Sequence, residues 1–345
     1  MARLLRTLTI EHIAVLAGVS RSTVSRVVND HPRVRPDVRE RVRRVIEERG
    51  YTPHAAARSL AGSRTNVLCL LNVRGAPSLF DGQYMPPLVQ GLSESCNAGG
   101  YFLLLSIVTA EQATPLYRRL VQGHHCDGII MLASDVDEAL LPHLVADEVP
   151  SVLIGRHPRF PDLNTVNVAN DEGARLAVRH LIGLGHRRIA TITGHLGMPP
   201  GGERHEGYQA ALREAGLPLD PQLVASGQLT SASGYEAMQR LLALPQRPTA
   251  VFAADDAMAA GALQAIRLAG LGVPRDIAVV GFDDAPIASL TDPPLTTVRQ
   301  PVYELGAEAA RLLIAQLRGE APRPAQRRLP VELVVRQSCG APCGG

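Results

Sequence analysis

Beyond residue 66 the chain alternates apolar runs with amphipathic stretches, and this alternation constrains its fold more than any other feature. Apolar runs at 67–73, 101–108 and 128–133 are interleaved with helical spacing at 87–98, 115–122 and 137–146. After the run at 149–154 the pattern restarts, with helices predicted at 171–184, 203–215, 233–244 and 255–268 and strands at 188–193, 223–226, 250–253 and 277–282. Strands that alternate with helices pair in parallel, because each helix carries the chain back along the sheet and covers one of its faces. Two doubly wound units in tandem are the expected result. Ligands of such sheets sit beyond the C-terminal strand ends, so two units facing each other would enclose a cleft.

The first 64 residues are built differently. They hold thirteen Arg against six Asp or Glu, while the remainder is slightly acidic, as expected of a polyanion-binding head on a near-neutral body. Thr9 can cap a helix at 10–17 in which Ile10, Ile13, Ala14 and Ala17 share a face, and Gly18 ends it. Ser20 caps a second short helix at 21–28, and so tight a Gly-containing turn between two helices is the helix-turn-helix pattern. Val24, Val27 and Val28 can face the first helix, whereas Arg21, Ser22, Ser25 and Arg26 point away from it. Ser22 and the Thr23 hydroxyl lie near a helix N-terminus, which favours phosphate, and Arg21 and Arg26 can each bracket guanine O6 and N7. A third helix from Pro36 to Glu48 closes the core through Val38, Val42, Val45 and Ile46. Its Arg39, Arg41, Arg43 and Arg44 read either as a solvated charged face or as phosphate contacts. Gly50, Tyr51 and Pro53 break this helix, and the Ala-rich stretch at 54–62 that follows exposes Leu60 and is too short to be stable alone.

Other chemistry finds little support. His124-His125-Cys126 and the Cys339/Cys343 pair do not supply four ligands at structural-zinc spacing, so no metal is expected. No nucleophile elbow, phosphate-cradling Gly loop or His-Glu-x-x-His motif is present, and neither catalysis nor a cofactor is expected. The N-terminus lacks an apolar segment ending in a cleavage site, and no apolar run approaches the roughly 18–20 residues of a membrane span. A reduced, cytoplasmic location away from the membrane follows as an expectation.

The run Thr9-Ile10-Glu11-His12-Ile13-Ala14-Val15-Leu16-Ala17-Gly18-Val19-Ser20-Arg21-Ser22-Thr23-Val24-Ser25-Arg26-Val27-Val28-Asn29 resembles the lac-repressor family of bacterial transcriptional regulators. Tyr51-Thr52-Pro53-His54 and Ala57-Arg58-Ser59-Leu60 resemble that family's hinge. Further resemblances run through the body at Gly185-His186-Arg187-Arg188-Ile189-Ala190, Arg204-His205-Glu206-Gly207-Tyr208, Ala253-Ala254-Asp255-Asp256, Val280-Gly281-Phe282-Asp283-Asp284 and Pro294-Leu295-Thr296-Thr297-Val298. The resemblance implies DNA contacts from Thr9, Ser20, Arg21, Ser22, Thr23, Ser25, Arg26 and Asn29, and from the hinge residues His54, Ala57, Leu60 and Ala61. Leu60 would enter the minor groove and kink the duplex, trading base stacking for additional contact. The body would resemble a periplasmic sugar-binding protein, with chain crossings that return 301–319 to the first subdomain.

For the cleft the resemblance implies effector contacts from Arg204, Leu229, Asp255 and Asp283, while Phe80 and Tyr84, in the loop after the first strand, and Arg156, just past the 152–154 strand, are candidates by position. Arg204 could instead pair with Glu203 or Glu206, Asp283-Asp284-Ala285-Pro286 also reads as a turn, and Asp256 reads as a helix cap. Leu229 stands where family members often stack an aromatic on a sugar, which leaves Phe80 and Tyr84 as candidate ring platforms or as simple packing. The expected fold class is thus α/β: a three-helix helix-turn-helix head with a hinge helix, then a two-subdomain, periplasmic-binding-protein-like body with parallel sheets. Expected boundaries are 1–62 for the DNA-binding domain, with its hinge at 53–62, and 63–345 for the effector and dimerisation domain. The latter divides into about 66–162 plus 298–325 and about 163–297 plus 326–340.

The expected function is sequence-specific repression from a palindromic operator in double-stranded DNA by a homodimer, under control of a small effector, a sugar or sugar derivative. No Leu heptad follows Arg336, so a dimer is expected rather than a tetramer. A regulator controlled by a protein partner or a non-sugar corepressor is one rival. A transport-type ligand-binding protein is another, which the basic head argues against.

Overall fold

The computed structural model describes residues 8–28, 31–51, 64–73, 84–132, 140–322 and 324–341. Of the expected site residues, Asn29, His54, Ala57, Leu60, Ala61 and Phe80 lie outside these, as does Cys343. The chain divides into two compact units, one running to residue 66 and including 119–127, the other formed by 67–118 and 128 onward.

In the head, α1 (Ile10–Ala17), α2 (Arg21–Val28) and α3 (Pro36–Arg49) follow the apolar spacing. Gly18 has φ 63°, a left-handed conformation that a β-carbon disfavours, and it turns the chain from α1 toward α2. Ile13, Val24 and Val42 are fully buried, with Ala14, Ala17, Val27 and Tyr51 around them. Burying each large side chain stabilises by about 1.5–3 kcal/mol, and in so small a core any one of them is a large share.

The body holds two six-stranded sheets. The first is formed by β1 (Val67–Val73), β2 (Phe102–Val108), β3 (Gly128–Leu132), β4 (Ser151–Ile154), β5 (Thr165–Val168) and β11 (Gln326–Leu329), all parallel, in the order β11-β5-β4-β3-β1-β2. The second is formed by β6 (Ile189–Thr193), β7 (Val224–Ser226), β8 (Ala250–Ala253), β9 (Ala278–Asp283), β10 (Thr296–Arg299) and β12 (Glu332–Val334), in the order β12-β10-β9-β8-β6-β7. Only β12, which pairs with β10, runs antiparallel in this sheet. Beneath the first sheet, α4 (Met85–Gly99) and α12 (Val302–Arg318) join their apolar faces through Leu88, Leu92, Leu305 and Leu313. These two helices touch backbone to backbone: a β-carbon at Gly91 would collide with the Tyr303 carbonyl, and one at Gly306 with that of Leu88. In the second half, α7 (Asn170–Gly183) and α8 (Pro199–Glu214) cover one face of the sheet, α9 (Ser231–Leu242) and α10 (Asp256–Leu268) cover the other, and the short α11 (Pro286–Leu290) follows β9.

The chain passes between the halves three times: after β5, after β10 into α12, and between β11 and β12. The first and last crossings fall one strand later than the expected boundaries near 162 and 325, because β5 and β11 pair with each other in the first sheet. Two helical expectations also shift. The helix expected from Pro115 begins at Ala110, so this proline lies inside α5 (Ala110–Gln122) and does not mark its start. Within the stretch expected to be helical from 137, the described helix is α6 (Leu141–Ala146). Among the described residues no helix is long and apolar enough to cross a membrane.

Candidate functional site

Two surfaces carry the candidate residues. On the head, the N-terminus of α2 gathers three hydroxyls: Ser20 Oγ lies 2.8 Å from both Ser22 Oγ and Thr23 Oγ1 and accepts the Thr23 N–H at 3.2 Å. Ser20 is therefore the cap its position suggested, satisfying one of the amides that a helix start leaves without a partner. Arg21, Ser22 and Arg26 are exposed and Ser25 is half-buried on the side away from Val24 and Val27. Arg21 forms an exposed ion pair with Glu11 of α1 at 3.2 Å. Thr9 begins α1, its N–H donating to His12 Nδ1. On α3, Arg39 donates to the His31 carbonyl and Arg44 pairs with Glu40, while Arg41 and Arg43 are exposed.

On the body, a cleft of about 1050 Å³ opens between the two sheets. Its walls are the C-terminal ends of the parallel strands, as a doubly wound sheet requires: Asn72, Leu132 and Ile154 on one side, Gly194, Ala254 and Asp283 on the other. Arg204 rises from α8 into the floor and is 7% exposed. Its guanidinium donates to Asn170 Oδ1 and to the Ala254 carbonyl, sits 3.3 Å from Asp283 Oδ1, and lies 3.8 Å from the Phe282 ring centroid. A guanidinium so buried needs this many acceptors, since its charge has little water to face.

Neither Glu203 nor Glu206 is the partner of Arg204. Glu203 is buried and accepts from Arg156, Asn167 and Asn170. Arg156 is thereby engaged outside the cleft lining, whereas Tyr84, Leu229, Asp255 and Asp283 all line it. Asn170 is the connector of this network, its Nδ2 facing Glu203 and its Oδ1 facing Arg204.

Three carboxylates meet the floor. Asp283, at φ 120°, accepts from Gln300 Nε2; burial raises its carboxyl, with Arg204 opposing the shift. Asp255 is the N-cap of α10, Oδ1 accepting the Met258 N–H at 2.7 Å, so the cap falls to Asp255 and not to Asp256. Burial, with the charge of Asp283 adding, pushes Asp255 up to about 7. Asp256 accepts from the Thr297 hydroxyl and the Ala285 N–H, and burial lifts it to about 8. Tyr84 is held protonated by burial and by the nearby Asp283. Leu229 has φ 57° and is 40% exposed, presenting an apolar surface where no ring stands. Among the described residues no group of His, Cys, Asp and Glu could hold a metal ion.

Asn72, Asn167, Asn170 and Gln300 escaped the reading of the sequence. Each closes or follows a strand, so a search for amides at the C-terminal ends of apolar runs would have found them.

Residues 9–54 match the lacI family of bacterial regulatory proteins, and residues 178–339 match the periplasmic binding protein-like domain. The HTH-type transcriptional regulator CelR of Thermobifida fusca is 39% identical over 332 residues, covering 96% of this chain and 98% of the relative. The HTH-type transcriptional repressor CytR of Escherichia coli K12 is 34% identical, with 96% of each chain covered. Among solved structures, a CelR–cellobiose complex matches with a TM-score of 0.75 at 38% identity, covering 96% of this chain and 99% of that one. The lac repressor dimer bound to operator and the anti-inducer ONPF matches with a TM-score of 0.82 at 29% identity, covering 97% and 100%.

Proposed function

The chain belongs to the lacI family of bacterial regulatory proteins, and on that premise we propose that it is a DNA-binding repressor whose affinity for a palindromic operator is set by a small effector in the cleft. The observation that carries this reading is the union, on one chain, of an α2 that displays polar side chains outward and a cleft whose floor is buried, charged and hydrogen-bonded. A polar floor of this kind has no packing role to explain it, since an apolar core would cost less to bury.

At the operator, Arg21 would exchange its exposed pair with Glu11 for a bidentate guanine contact worth about 1–3 kcal/mol of discrimination. The Ser22 and Thr23 hydroxyls and the α2 N-terminus would hold phosphate. Two such heads in a dimer would read half-sites about one helical turn apart, with Leu60 of each hinge near the centre. In the cleft, Arg204 and Asp283 would grip vicinal hydroxyls of a sugar or sugar derivative, each able to make two hydrogen bonds at once. The CelR–cellobiose complex supports a saccharide-sized ligand. Effector binding would couple to the operator by about 1–3 kcal/mol.

Selection of bound DNA from a random pool by the purified protein, at two salt concentrations, tests this reading. A palindromic motif that survives the higher salt is the expected result. Binding that is blind to sequence and lost with salt would refute it.

A further inference from the structure

The charges around the cleft do not balance. Of the arginines lining it, Arg204 is paired with Asp283, and Arg299 is held by Asp284 and Glu332. Among the described residues, that leaves the buried Asp255 and Asp256 and the exposed Glu304 in the lining with no ion pair of their own. Asp256 has both oxygens occupied, by the Thr297 hydroxyl and the Ala285 N–H. Asp255 is different: one oxygen accepts the Met258 N–H, and the other accepts nothing from the described residues, although the side chain is 7% exposed. On the first-sheet wall, Asn72 is 3% exposed and its Nδ2 also has no hydrogen-bond partner. A buried amide N–H left this way is costly unless something else satisfies it.

We propose that the cleft takes a polyhydroxylated amine, of the amino-sugar class, with its ammonium on Asp255 and an uncharged polar group of the ligand on Asn72. This deepens the reading of the cleft as the effector site and rests on it. An ammonium supplies the missing positive charge and a short charge-assisted hydrogen bond to the unoccupied oxygen. Burial and the charge of Asp283 raise the Asp255 carboxyl, and a cation bound beside it would draw it back toward ionisation. Anionic ligands such as sugar phosphates would meet an excess of carboxylate with no uncommitted arginine in the described lining. A flat aromatic cation is also disfavoured, because Tyr84 and Tyr303 are the only aromatic rings besides His195 among the described lining residues. The cleft volume, about 1050 Å³, admits a disaccharide.

The test is calorimetric titration of the full-length protein at pH 7.5 with matched pairs: glucosamine against glucose, galactosamine against galactose, and the β-1,4 glucosamine dimer against cellobiose. In the last pair amines replace the 2-hydroxyls and nothing else changes. At least one amine should bind about tenfold or more tightly than its neutral partner, the size of one hydrogen bond to a charged group. In Asp255→Asn, which retains an N-cap, that preference should fall to within about threefold. Neutral members binding as tightly as the amines, or a preference that survives Asp255→Asn, would overturn the amine assignment and leave the effector site standing. Failure of every probe, amine and neutral alike, would count against both.

Discussion

In the head, arginine works in water: the side chains of Arg21 and Glu11 are 72% and 56% exposed, Arg44 pairs within its own helix and Arg39 reaches the His31 carbonyl in the loop before it. In the cleft, Arg204 works away from water, with partners drawn from three different elements, α7, the end of β8 and the end of β9. The same residue type therefore carries two kinds of consequence. An exposed arginine can be exchanged with little loss of fold, so its specificity is free to drift. A buried one is a structural member as well as a ligand contact, because removing it strands the carboxylate it faces.

The sharpest way to break this contrast is Arg204→Ala. It leaves the half-buried Asp283 without its cation and the Asn170 and Ala254 oxygens without their donor, and should lower the body's stability by about 3–5 kcal/mol in urea denaturation. A loss under about 1 kcal/mol would show that the floor is wetter than its burial implies. Next is Ile13→Ala, which empties the centre of the small head core and should cost about 2–5 kcal/mol there. Hydrogen exchange should show the loss in the amides of α1 to α3 and not in the sheets of the body.

A third test uses pH. Asp255 and Asp256 are raised to about 7 and 8 in the folded chain, far above their values when unfolded. Their contribution is therefore complete at acid pH and is lost as pH rises through the folded values. The melting temperature of the body should fall between pH 6 and 9, and Asp255→Asn should flatten that slope. Smaller still are the head variants. Arg21→Ala should leave stability within about 0.5 kcal/mol yet change base preference at one position by about 1–3 kcal/mol, read by selection from random DNA. Arg43→Ala should weaken all sequences evenly and reduce the salt slope by about one. Equal losses on every sequence for both would erase the distinction between reading and positioning.

Local pattern explains which parts of the molecule were legible. The helices at 10–17 and 21–28 and the strands at 67–73 and 250–253 coincide with their apolar spacing because each buries one continuous stripe or run. Thr165–Val168 and Gln326–Leu329 escaped because both are short, and the second pairs with the first across more than 150 residues of chain. Pro115 misled because proline usually opens a helix, whereas α5 begins five residues earlier and carries it inside. In the site, the family resemblance reached charged residues and not amides. It implies Arg204, Asp255 and Asp283, but the roles of Asn170 and Gln300 arise only when residues 203–204 and 283 are brought to them. Likewise, the partner of Arg204 lies 79 positions away, while the glutamates beside it in sequence turn elsewhere.

The three crossings bear on how the chain emerges during synthesis. Residues 170–299 supply five of the six strands of the second sheet in one contiguous stretch, so that half can assemble while the ribosome is still translating. The first half has no such option. Its core waits for α12 at 302–318, and the outer edge of its β5 waits for β11 at 326–329. A chain released early, at residue 300 for example, would carry Leu88 and Leu92 on α4 without α12 to cover them, and a premature stop there should yield aggregate even though every residue of the head and most of the cleft has been made.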